Sequence, residues 1–214
     1  MRLRSLTTTA VAAYAVAGRR WQLRWGADSR EVTARLPGDD LVADPDLVAT
    51  RAITIRARPV DVWPWIAQLG QTRGGFYSYD GLENLVGCQI HSADRIVPAW
   101  QDVMVGDPVN LAPEVALTTA ITDPPRALVL SGAVPMGASA PPYDFSWSFV
   151  LDGQDATTRL VVRERYAYTR WWAPLLVEPV AVVSFLMSQK MLRGIRDRAE
   201  HAGDLVLDPG TSGR

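Results

Sequence analysis

Apolar and polar positions alternate in twos over residues 49–58, with Ile53 and Ile55 on one face and Thr54 and Arg56 on the other, the period of a half-buried strand. The period then changes. Pro59 stands where a first helical turn tolerates it, and Val62, Trp65, Ile66 and Leu69 recur at helical spacing, which predicts a short amphipathic helix closing at Gly70. Pro64 inside it removes a backbone donor and predicts a kink or an early end. Further strand-like runs follow at 107–111, 115–122, 127–131, 144–151 and 158–169, with Asp123-Pro-Pro and Asp152-Gly153 as turns. From about residue 173 to 201 the chain is apolar on every side through Met187 and amphipathic after Lys190, with Met191, Leu192 and Ile195 on one stripe, which predicts the main core helix. A transmembrane reading of this segment is poorer, because Glu178-Pro179 breaks the apolar run short of the roughly 20 residues a span needs.

A strand, two short helices, a series of antiparallel strands and one long terminal helix predict an α+β layout in which a curved sheet wraps the last helix. Such a sheet cannot close tightly around a helix. The gap is expected to be an apolar cavity, the usual type of small-molecule site. At 214 residues one domain is expected, divided into an N-terminal helix and irregular arm (1–47), the sheet-and-helix domain (48–202) and a flexible tail (203–214). The segment 26–48 is rich in Asp, Gly and Pro and reads as the arm leading into the first strand.

Composition narrows the function classes. A formal charge of −1, with 48% hydrophobic and 21% charged residues, gives no general pull towards nucleic acid. All but one of the 22 Lys+Arg are arginine, the exception being Lys190, which reads as codon bias rather than phosphate recognition. The single cysteine, Cys88, excludes an intramolecular disulfide and any thiolate metal cluster; it reads as a small buried filler and fits a reducing, cytoplasmic location. The start of the chain, with Arg2 and Arg4 before LTTTAVAAYAVAG, has the outline of a weak signal peptide. Its threonines and its continuation through Arg19-Arg20-Trp21 favour a packed or frayed helix, with a membrane-touching helix as the alternative.

Candidate chemistry concentrates between Gln71 and Trp100. Gly74-Gly75 before Phe76-Tyr77-Ser78-Tyr79 lets the backbone turn sharply beside several aromatics, as a gate over an apolar pocket would; Tyr77 and Tyr79 are candidate ligand contacts. Asp80-Gly-Leu-Glu83 has capping-box spacing with Gly87 as a left-handed stop, so Asp80 reads first as a helix cap and second as a ligand contact. His91, the one histidine away from the terminal helix, is the leading general acid or base, with Asp94 beside it. In the last strand, alternation puts Leu160, Val162, Glu164, Tyr166 and Tyr168 on one face and Arg159, Val161, Arg163 and Arg165 on the other. Glu164 on the more apolar face is a candidate proton-transfer carboxylate, and Tyr166 a candidate ligand contact. Phe145, Trp147 and Phe149 alternate with serines and face the core, with Trp147 also able to touch a ligand. No phosphate loop, H-E-x-x-H, EF-hand or nucleophile elbow occurs, so neither a metal nor a cofactor is expected.

The strand-then-helix start TRAITIRARPVDVWPWIAQLGQ and the terminal KMLRGIRDRAE resemble the START-like (SRPBCC) superfamily of helix-grip proteins, which includes polyketide cyclases and dehydrases and lipid carriers. The resemblance spans roughly residues 48–202. LPGDDLV, RGGFYSYDGLENLVG, HSADRIVPAWQ and GDPV are similar to an actinobacterial group within it. The resemblance implies a fold and a cavity, with no catalytic motif to carry over. The first expectation is a protein that binds a small, mostly apolar molecule of polyketide, lipid or aromatic type. An alternative is a cofactor-independent cyclase or dehydratase in which His91, Asp94 or Glu164 moves a proton while tyrosine hydroxyls stabilise oxyanion charge. A weaker one is a membrane-peripheral adaptor attached through residues 1–25.

Overall fold

The computed structural model describes residues 17–85, 87, 89–113, 115–132 and 141–207. The expected helix before residue 17, Cys88 and the tail beyond residue 207 lie outside them. Helix α1 occupies residues 17–23, and the chain continues through α2 (Ser29–Thr33), a 3-10 turn (Asp39–Val42), β1 (Leu47–Ile55), α3 (Pro59–Ala67), α4 (Asp80–Leu85) and a 3-10 turn (Pro98–Trp100). Strands β2 (Pro108–Ala112), β3 (Val115–Asp123), β4 (Ala127–Gly132), β5 (Tyr143–Gln154) and β6 (Thr157–Tyr168) then lead to α5 (Ala173–Leu207). All six strands form one antiparallel sheet in the order β1-β6-β5-β4-β3-β2. Five of them meander, and β1 completes the sheet beside β6. With α5 on one face, this is the α+β helix-grip arrangement.

The inner face follows the predicted alternation. Leu160, Val162, Glu164 and Tyr166 of β6 lie in register with Ile53, Arg51, Ala49 and Leu47 of β1 and with Leu151, Phe149, Trp147 and Phe145 of β5. On that face they meet Val177, Ala181, Met191, Leu192 and Ile195 of α5, with Val62, Trp65 and Ile66 of α3 completing the buried cluster. Boundaries shift modestly: β1 starts two residues before the predicted 49 and ends at Ile55, because Pro59 opens α3 at its first turn. Pro64 lies within α3, which ends at Ala67. Pro179 likewise lies within α5, so the apolar stretch that looked interrupted at Glu178-Pro179 is one continuous helix, long and apolar enough by length and composition to cross a membrane. One side of that helix is nonetheless buried against the sheet, at Val177, Ala181 and Leu192.

The opposite face of the sheet, where alternation put arginines, is covered by the N-terminal arm. Arg163, 2% exposed, donates to Asp39 Oδ2 at 2.7 Å, to the carbonyls of Glu31, Val32 and Ala34, and to Thr50 Oγ1. Arg165 donates to the carbonyls of Val42 and Ala43, and Arg159 to both carboxylate oxygens of Glu31. Burial pulls the Arg163 pKa below the usual guanidinium value, a pull that Asp39 opposes. The arm can approach this closely because Gly38, at φ 87°, has no side chain: a Cβ there would lie 2.4 Å from Val129 and 2.9 Å from Ser148 Oγ. The strand arginines thus anchor the arm carbonyls that no ladder satisfies.

Removing the buried cation takes from Asp39 its nearest cationic partner, leaving it the Leu36 N–H and Arg165, and strips three arm carbonyls of a donor. Arg163→Met is expected to lower the unfolding free energy in urea by about 3–5 kcal/mol and to expose residues 26–46 to limited proteolysis. An unchanged urea midpoint with an intact arm would show that the arm is held some other way.

Candidate functional site

Between the inner face of the sheet and α5 lies a cavity of about 260 Å³. Phe76 and Ile90 of the long α3–β2 connection, Leu111 of β2 and Trp147 of β5 form one side; Val180, Val183, Met187 and Met191 of α5 form the other. Its polar lining residues are Ser78, Ser184 and Ser188, together with Trp147, whose indole N–H is buried with no hydrogen-bond partner among the described residues. Trp147 stacks on Phe76 with ring centroids 6.1 Å apart and packs on Phe149 at 4.8 Å, which holds the aromatic wall rigid.

Behind Ser184 and Ser188 sits a buried ionic network. Glu164, 2% exposed, accepts from Arg51 Nη1 at 2.7 Å, from Ser184 Oγ at 2.8 and 2.9 Å, from Ser188 Oγ at 3.2 Å and from the Tyr166 hydroxyl at 3.3 Å. Arg51, 1% exposed, also donates to Ser188 Oγ at 3.1 Å and to the Gln22 carbonyl at 3.3 Å. Glu164 therefore faces inward as the alternation predicts, but the serines, not Glu164, belong to the cavity wall. Tyr166 is not on that wall either. It is buried between Tyr143 and Phe145, with centroids at 5.5 and 4.7 Å, and its hydroxyl is spent on Glu164. Burial, and then the Glu164 charge, push its pKa well above the ordinary phenol value.

The glycine-rich stretch divides its side chains. Gly70 and Gly75 pair through a tight bridge, and a Cβ at Gly74 would lie 2.7 Å from the Gln68 carbonyl. Tyr77 adopts φ 55°, in the left-handed region that a bulky residue rarely enters, so Phe76 and Ser78 reach the cavity while Tyr77 turns away from it. Its hydroxyl donates to the Trp65 carbonyl at 3.1 Å and accepts from Gln68 Nε2 at 2.9 Å; Arg198 lies over its ring, and burial raises its pKa. Gly194 is what lets α5 come this close, since a Cβ there would lie 2.5 Å from the Tyr77 carbonyl oxygen. Tyr79 is 42% exposed and does not line the cavity.

Asp80 gives both carboxylate oxygens to Ser92, accepting from its N–H at 2.7 Å and its Oγ at 2.6 Å, so it ties the start of α4 to the next loop. Gly87, at φ 85°, sits just past α4 as the expected left-handed stop. Asp94 has a side chain 94% exposed and pairs with Arg198 at 3.1 Å. His91 is exposed and is not among the residues lining the cavity. Tyr77, Asp80 and Asp94 meet instead along a polar pocket of about 350 Å³ with Lys190, Asp197 and Arg198 of α5. A larger groove of about 560 Å³ lies under the arm on the far face of the sheet, but Arg163 and Arg165 on its floor are already bonded to Asp39 and to arm carbonyls. The smaller apolar cavity is thus the better candidate site, and among the expected residues Trp147 is on its wall.

Arg51, Ser184 and Ser188 were missed, although each left a signal in the sequence. Arg51 shares the apolar parity of Ile53 and Ile55, and the two serines recur four residues apart inside an apolar helix. Among the described residues no group of three or more His, Cys, Asp or Glu is placed to hold a metal ion.

Fold and cavity together define a helix-grip protein with an apolar pocket between sheet and terminal helix. No family model matches the chain, and no curated protein matches it. Among solved structures it is similar to protein Ms6760 from Mycobacterium smegmatis, at 15% identity over 78% of this chain and 94% of that one, TM-score 0.44. It is also similar to norcoclaurine synthase from Thalictrum flavum, at 13% identity over 82% and 95%, TM-score 0.42. Protein MLL2253 from Mesorhizobium loti shares 12% identity over 71% and 97%, TM-score 0.43. At these scores the likeness adds nothing to the site, and the fold rests on this chain's own strand order and terminal helix.

Two measurements probe the network. Glu164→Ala leaves Arg51 buried without its anion and is expected to cost about 3–5 kcal/mol in chemical denaturation, whereas the Arg51→Met/Glu164→Leu double variant should recover most of that loss. A double variant no more stable than Glu164→Ala would refute a dominant pair term. The buried tyrosines set a pH dependence: above pH ~10 the unfolded chain releases phenolic protons that folded Tyr77 and Tyr166 retain, so stability is full below that pH and falls as pH rises. The expected slope is about 1.4 kcal/mol per pH unit for each tyrosine. Tyr166→Phe should flatten it by one such increment.

Proposed function

We propose that the protein binds a small, mostly apolar molecule of polyketide, lipid or aromatic type in the cavity between the sheet and α5. The carrying observation is the wall itself: Phe76, Ile90, Leu111, Trp147, Met187 and Met191 line a pocket of about 260 Å³, open on one side and almost wholly apolar, with three serines among its lining residues. That volume sits just below the roughly 300–1,000 Å³ of drug-sized sites, which favours a ligand of modest size. Apolar burial supplies the affinity, and the acceptor lone pairs of Ser184, whose proton goes to Glu164, suit a ligand hydroxyl.

A cyclase or dehydratase reading draws on one observation, that Ser184 touches both the cavity and the Glu164 carboxylate and so offers a proton path between them. His91 and Asp94 do not support it, since both are exposed away from that wall. Turnover of a poly-carbonyl substrate that Ser184→Ala abolishes while probe binding persists would favour this reading over carriage alone.

The binding test uses a medium-chain fatty acid and an anthraquinone as probes. Either should raise the thermal midpoint, with about 2.7 kcal/mol of added stability at a hundredfold excess over its dissociation constant. Met187→Trp, which fills the cavity from α5, should abolish that shift. No shift with either probe, together with no small molecule in native mass spectra of the purified protein, would sink the proposal.

A further inference from the structure

The side of α5 turned away from the sheet is apolar over its first half. On the helix Leu175 is 78% exposed, Val183 56% and Leu186 52%, with Val180 and Val182 exposed among them, and Trp171, 88% exposed, and Trp172 stand just before its first turn. From Trp171 to Gln189 the only charged residue is Glu178, and Arg19 of α1 holds it through two hydrogen bonds. Within the helix the strip runs about 17 Å, from Leu175 to Leu186, at 1.5 Å per residue. Soluble proteins rarely leave so continuous an apolar face to water.

Three features select the occupant. The helix cannot span a bilayer in this fold, because Val177, Ala181 and Leu192 on its other side are buried in the core, so only an arrangement parallel to a surface is open to it. Exposed cations border the strip at both ends: Arg170 directly before Trp171-Trp172, and Lys190 at the far end. A two-fold pairing of two copies would set these cations against each other, whereas anionic headgroups complement all of them. The tryptophan pair at one end suits the headgroup level, where amphipathic rings settle. Val180 and Val183 also line the cavity, so the strip and the cavity share a wall.

We propose that this face of α5 docks on an anionic lipid surface and that the cavity exchanges its ligand there; the exchange clause rests on the ligand-binding reading, and the docking clause does not. The full-length chain is floated with vesicles of phosphatidylcholine alone and of phosphatidylcholine with phosphatidylglycerol. It should rise with the anionic vesicles, and less so at high salt. Leu175→Glu/Leu186→Glu and Trp171→Ser/Trp172→Ser change exposed positions, so their thermal midpoints should stay near that of the wild type while the bound fraction falls at least about tenfold. Wild-type protein left in the soluble fraction with both vesicles overturns the docking. Equal flotation of the variants does so too, since attachment would then lie elsewhere, as in residues 1–16. A dimer that the variants dissociate, with no flotation, would reassign the strip to a second copy. Met187→Trp should still float. Flotation without probe capture by the wild type would strike the cavity reading and the exchange clause alone.

Discussion

The ion pair between Arg51 and Glu164 is the constraint around which the inner layer is organised. It joins β1 to β6 across the sheet, reaches α5 through Ser184 and Ser188, and reaches the end of α1 through the Gln22 carbonyl. Two charges taken out of water are tolerable only when each finds its partner, so the pair permits one rotation of α5 on the sheet and penalises the others. Phe185, 5.7 Å from the Arg51 guanidinium and packed on Trp21, sits at the same junction. Because the serines that bind Glu164 also form part of the cavity wall, the device that orients the helix shapes the candidate site.

The same physics recurs on the outer face with the opposite effect. There the arginines of β6 do not point into solvent; they gather carbonyls of the arm that have no ladder partners, and Asp39 balances their charge. β6 therefore carries buried ionic groups on both faces and is the central member of a three-layer stack of arm, sheet and helix. An irregular segment lies flat on a sheet only if its backbone groups are satisfied from below, and guanidinium forks with five donors are suited to that task.

The connection between α3 and β2 shows how one backbone conformation can partition functions. With Tyr77 in the left-handed region, neighbours that would otherwise alternate are splayed, Phe76 and Ser78 to the cavity and Tyr77 to a buried hydrogen-bonded post. Gln68 holds that geometry together, since its side chain bonds Tyr77, the Arg95 carbonyl and the Val97 N–H. The density of chemical groups between Gln71 and Trp100 thus serves mainly to hold a long connection against α3 and α5. Two of its residues, Phe76 and Ile90, contribute apolar wall, and Ser78 a hydroxyl.

The strands, the terminal helix and the inward parity of Glu164, Trp147 and Phe149 were legible in the sequence, because a strand's period of two and a helix's of 3.6 are properties of the local backbone. The same parity contained Arg51, but an arginine among isoleucines acquires meaning only when Glu164, more than a hundred residues later, is placed beside it. Tyr77, Tyr79, Asp80, His91 and Asp94 carry the chemistry a site would use, yet the tertiary structure puts none of them on the cavity wall. Which side chains bound a void depends on how closely elements far apart in the chain approach, through contacts such as Gly194 against Tyr77 and Gly38 against Val129. The sequence by itself determined which residues share a face. Only the packed structure decided what stands opposite each face, because that is set by distances between elements and by charges seeking partners across them, and no local period encodes either.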